Sequence, residues 1–159
     1  MNDGRSKSRS ASDPERPSAE RTWCGRVGAW GLFVWLVGGI VLEALNGFKL
    51  APYLEDALRR QMWTLAHAHG TLLSLAGVVL AWAGPIASLP AQRARSCDRL
   101  FATGAVLLPL GFVLGGAWHS ESDPGIGILL VPAGGVLAAA GLFAWLAPSK
   151  APGAGGDRA

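Results

Sequence analysis

Four blocks of nearly uninterrupted apolar residues, at roughly 27–48, 62–84, 100–118 and 125–146, alternate along the chain with short polar connections. Each is about 20 residues long, the length a helix needs to cross some 30 Å of hydrocarbon. Strands that cross a bilayer alternate polar and apolar side chains over about ten positions, and these blocks do not. The pattern predicts an all-α integral membrane protein, a four-transmembrane-helix antiparallel bundle spanning residues 23–148. Residues 1–22 are rich in Ser, Arg, Asp, Glu and Pro and nearly devoid of large apolar side chains, so they predict a disordered N-terminal tail. Residues 149–159 predict a short disordered C-terminal one.

Charge sharpens this picture. Only 16% of the 159 residues are charged, against about 25% in soluble proteins. Ten of the 14 basic and 11 acidic residues fall in the first 26 positions, and 100–118 carries none. A water-soluble fold needs polar side chains at helical period to cover its outside, so that class is excluded. The net charge of +3 sits in the tail and connections, which makes the lipid bilayer the expected partner and excludes nucleic acid.

The basic residues also set an expected orientation. Arg5, Lys7, Arg9, Arg16, Arg21 and Arg26 precede the first span, Arg93, Arg95 and Arg99 lie in the second connection, and Lys150 and Arg158 follow the last span. Only Lys49, Arg59 and Arg60 fall on the opposite side. An excess of Lys and Arg marks the cytoplasmic side, so both termini are expected there, in a bacterial inner membrane. Trp23, Trp82 and Trp145 then form one interfacial belt and Trp63 and Trp118 the other, while Trp30 and Trp35 need packing partners within the first span. The stretch Leu42-Glu43-Ala44 loosely fits a signal-peptide cleavage site, but the long charged region before it and Glu43 beside the cut favour a retained span.

Lipid offers no hydrophobic drive for helix association, so small residues must let the helices approach. Pairs four apart occur at Gly70 and Ser74, Gly77 and Ala81, Gly111 and Gly115, Gly134 and Ala138, and Gly135 and Ala139. Pro109 and Pro132, mid-span, predict kinks with the carbonyls of Ala105 and Ile128 unpaired. Asp123 before Pro124 reads as the N-cap of the last span. Residues 49–61 read as holding a short interfacial helix with Leu54, Ala57 and Leu58 toward lipid. A homo-oligomer or a larger membrane complex is an expected assembly. Cys24 and Cys97 are lone thiols without zinc spacing.

The candidate chemistry gathers at the outer side. His67 and His69 lie one to two turns into the second span, His119 ends the third, and Glu43 sits about one turn from the outer end of the first, near Asn46. Glu121 and Asp123 follow in the outer loop. An ionisable group inside a membrane is costly unless paired or hydrated, and so marks a candidate site. At about 100° per residue His67 and His69 project some 200° apart, so both cannot serve one ion from a regular helix.

Three uses compete. Glu43, His119 and one of His67 and His69 would bind a divalent transition metal; His67 or His69 would ligate haem iron in a redox protein; or histidine and Glu43 would pair only to fix helix register. The His67-Ala68-His69 spacing resembles, over a short stretch, the histidine-bearing helices of haem–copper oxidases; four spans are fewer than that catalytic subunit has, and no residue role is carried over. The sequence-level reading is a small accessory or structural membrane protein, with the metal- or haem-binding protein and a small membrane-embedded isomerase as alternatives.

Overall fold

The computed structural model describes residues 23–84, 89–120 and 123–148. Both expected tails and Glu121 lie outside them. Four long helices, α1 (Trp23–Gly47), α3 (Ala57–Ala83), α4 (Ala91–Ala117) and α5 (Leu130–Leu146), run alternately up and down; α2 (Ala51–Leu54) is a single turn between the first two. A 3-10 turn, Ile126–Leu129, leads directly into α5 and completes a fourth element long and apolar enough to cross a membrane. The described residues thus form an all-helical antiparallel bundle. Trp23, Ala83, Ala91 and Leu146 mark its tail end, and the α1–α3 and α4–α5 connections lie at the far end.

The helices lie in a row rather than a closed square. α1 rests on α3 and touches α4, α3 rests on α4, and α4 on α5; among the described residues α5 contacts neither α1 nor α3. Small residues set each contact. At the α4–α5 interface a Cβ on Gly104 would come within 2.4 Å of the Ala138 backbone nitrogen, and one on Gly134 equally close to Leu108. At the α1–α3 interface Gly28 abuts the Ser74 carbonyl and Gly77 abuts that of Cys24. The sequence reading named the glycines of α3, α4 and α5 but not the matching row on α1, whose Gly28 and Gly31 face Ser74. Cys24, Phe101, Ala102, Ala105 and Ala138 form the buried core. The outward side is apolar, with Trp30, Ile40, Leu72, Val136 and Phe143 exposed, as a lipid-facing surface requires.

Several local expectations are corrected. Hydropathy marks only the apolar part of a helix, so α3 and α4 begin five and nine residues earlier than the spans suggest, in polar segments that continue the same backbone ladder. Asp123 does not cap the last span. Its amide donates to the Ser120 carbonyl and its carbonyl accepts from Ser120, closing a tight turn. Gly125 then docks on α4, donating to the Gly115 carbonyl at 2.9 Å, in a space that a Cβ would lose to the Trp118 carbonyl. Because a 3-10 turn precedes α5, Pro132 falls in its first turn, where an amide hydrogen would have no helical acceptor, so no mid-helix bond is lost. Pro109 is fully buried inside the unbroken α4. The interfacial helix shrinks to α2: Ala57 and Leu58 belong to α3, and α2 turns Tyr53 inward to 3% exposure. Trp63 also leaves its expected belt, donating from Nε1 to the Val113 carbonyl and stacking on Tyr53. Trp23, Trp82 and Trp118 remain exposed near helix ends, whereas Trp35 packs against Gly70.

Candidate functional site

The far end is organised around Asp56. Its carboxylate accepts the Arg59 amide at 2.9 Å, the N-cap bond that starts α3. The same carboxylate accepts from His119 Nε2 at 2.7 Å, with the imidazole side chain only 10% exposed. Arg59 completes the cluster: its guanidinium lies 3.5 Å from Asp56, donates to the Pro52 carbonyl before α3, and donates to the Gly116 carbonyl at the end of α4. A cation there meets the negative end of the α4 dipole and occupies an otherwise unpaired carbonyl. Arg60 donates to the Leu54 carbonyl of α2. One carboxylate and two cationic side chains thereby join α2, α3 and α4. The Arg59 amide first, and the His119 hydrogen bond after it, hold the Asp56 carboxyl below the ordinary carboxylate range.

The four sequence-nominated residues do not converge. His119 pairs with Asp56, not with Glu43. His67 faces α1, its imidazole filling the space over Gly39, where a Cβ would stand 2.8 Å from the ring. His69 faces α4, donating from Nδ1 to the Leu65 carbonyl one turn back and leaning on Phe112 with ring centres 5.2 Å apart. Glu43 is exposed on the flank of α1. The 200° separation read from the sequence thus sends the two histidines to different neighbours. Among the described residues no group of three or more His, Cys, Asp or Glu side chains is close enough together to hold a metal ion.

Among the described residues three buried side-chain polar atoms have no hydrogen-bond partner: Nδ1 of His67, Oγ1 of Thr71 and Nδ1 of His119. His67 and Thr71 stand one turn apart on α3, so two of the three share a single stripe. A buried unpaired acceptor loses its hydration without replacement. Among the described residues no second metal-ligating side chain gathers beside the His67 nitrogen.

The tail end carries a matching polar device that the sequence reading missed. Asp98, near the start of α4, accepts the first two amides of α1, from Trp23 at 2.8 Å and Cys24 at 3.0 Å. Cys24 Sγ donates to the Asp98 carbonyl. Arg93, one turn earlier, donates to the carbonyls of Ala144, Ala147 and Pro148 at the end of α5. One helix thus supplies the anion for the positive end of α1 and the cation for the negative end of α5. The signal for both was an Arg and an Asp five residues apart in an otherwise routine basic connection. No family model, no curated protein and no solved structure matches this chain.

Proposed function

We propose that this chain is an accessory protein of a bacterial inner membrane, with both termini cytoplasmic, that works by packing against a second copy or a larger membrane complex. The observation that carries this reading is how the inward-turned polar groups are used. Asp56, Arg59 and His119 at one end, and Asp98 and Arg93 at the other, bind helix ends to one another. They are framework. The row arrangement supports it further, since α5 touches only α4 and presents Val136 and Phe143 outward. The orientation is supported by Arg26, Arg95 and Arg99 at the tail end, whereas Arg59 and Arg60 at the far end, like Arg93, are tied into the backbone.

A photo-crosslinking side chain at Val136, in the full chain in its own membrane, tests this. The expected result is a protein adduct of one defined mass; adducts to lipid alone overturn it. Cysteine labelling from outside intact cells tests the orientation: a thiol at Ser120 is expected to react and one in residues 1–22 to be protected, and the reverse pattern overturns it.

A second reading rests on the unpartnered His67 nitrogen: His67 as an axial ligand to haem iron or a ligand to a divalent transition metal, completed by donors outside this chain. The optical spectrum and metal content of protein purified from its membrane test it. A Soret band or stoichiometric metal that His67→Ala abolishes supports the reading; neither signal in the native chain removes it.

A further inference from the structure

We propose that the tail end holds a site for one anionic phospholipid, with the headgroup phosphate among Arg26, Arg95 and Arg99 and an acyl chain in the lateral groove between α1 and α4. Two adjoining features carry this inference, which rests on the membrane reading above. The first is a cavity of about 710 Å³ where the start of α1 meets the start of α4, lined by all three arginines together with Trp23, Asp98 and Trp145. Among the described residues these arginines form no ion pair and no hydrogen bond; the only ion pairs there are those of Asp56. Asp98, the carboxylate in the same cavity, is engaged with the amides of Trp23 and Cys24. The cavity therefore presents three guanidinium groups to one engaged carboxylate, and guanidinium binds phosphate oxygens in pairs.

The second feature is an apolar groove of about 620 Å³ that continues from the same Trp23 and Arg26. Trp30 and Val34 of α1 form one wall, Val106 and Leu110 of α4 the other, and Ser74 of α3 lies at its floor. From Trp23 to Val34 the groove covers 11 helical steps, about 17 Å, close to one leaflet of hydrocarbon, half of about 30 Å. Charge and grease thus lie in the order and at the spacing of a phospholipid standing upright in one leaflet. Tryptophans at the mouth, Trp23 and Trp145, sit at the depth where indole favours the headgroup boundary. Basic pockets between membrane helices recognise anionic headgroups by this combination. A zwitterionic lipid of equal chain length would gain the groove but bring a cation to the arginines.

The test uses the full chain in nanodiscs of dioleoyl phosphatidylcholine doped with dioleoyl phosphatidylglycerol, read by native mass spectrometry for retained lipid and by thermal unfolding. One phosphatidylglycerol retained per chain, with a higher Tm than in phosphatidylcholine alone, is expected. The double variant Arg95→Gln/Arg99→Gln is expected to weaken retention roughly tenfold, with its Tm in pure phosphatidylcholine unchanged because neither side chain bonds within the fold. Val106→Trp, which fills the groove without touching the arginines, is expected to lose retention as well. Equal retention of the two lipids, or native retention by both variants, overturns the site. Glycerol phosphate competing as well as the whole lipid shows an anion pocket without an acyl site, and overturns it too. A chain that remains in solution without nanodiscs overturns the membrane reading itself, an outcome distinct from a chain that inserts but does not discriminate between lipids.

Discussion

Asp56 illustrates how much one side chain can coordinate. It receives a backbone amide and an imidazole and stands beside a guanidinium, so Asp56→Ala, which removes the N-cap acceptor as well, is expected to lower Tm more than His119→Gln, which leaves the N-cap intact. The pH dependence has a definite sign. The Asp56 carboxyl is held below its unfolded value, so its contribution is full above the ordinary aspartate value of about 3.9 and lost as pH falls through the lower, folded value. Thermal unfolding as pH falls below about 4 is therefore expected to show a steeper loss of Tm for the native chain than for Asp56→Asn. At Gly104 the neighbours of any added Cβ are backbone atoms of Ala138 and Gly134, which cannot rotate away. Gly104→Val is expected to destabilise by about 3 kcal/mol or more, beyond the usual range for overpacking, as read by thermal unfolding in a constant detergent.

At the scale of the element, helix ends decide more than helix middles. The end of α1 is closed by a Schellman arrangement: Leu50 donates to the Leu45 carbonyl, Lys49 to that of Asn46, and Lys49 takes φ 52°. A side chain in that left-handed region is strained by about 1 kcal/mol, so Lys49→Gly is expected to raise stability by somewhat less than that, because glycine also gains freedom on unfolding. The start of α1 is held by Asp98 from α4. Asp98→Ala is expected to cost about 1–2 kcal/mol, in the range for N-caps, and hydrogen exchange should speed up first at residues 23–27. Arg93→Ala should instead loosen the last turn of α5. Small-residue spacing foretold the α4–α5 contact at Gly134 and Ala138, because close approach leaves its mark in composition. Neither long-range cap was legible, because an Asp–amide contact between positions 75 residues apart leaves no spacing rule in the chain.

For the whole molecule, the sequence by itself determined the class, the number of spans and their alternation. Each follows from the solvent: hydrocarbon demands about 20 apolar residues per crossing and internally bonded backbone, and both demands can be read from composition. It also determined that His67 and His69 must part, since helical geometry fixes the angle between them. What only the tertiary structure decided is which partners they and the other polar groups meet. The sequence grouped Glu43, and not Asp56, with His119; the packing of α3 against α4 brings Asp56 to it and leaves Glu43 on the open flank of α1. The row of helices, and with it the groove between α1 and α4, arises in the same way. Uniformly apolar faces carry no label of their neighbour, so shape complementarity between glycine and side chain, visible only in three dimensions, assigns them.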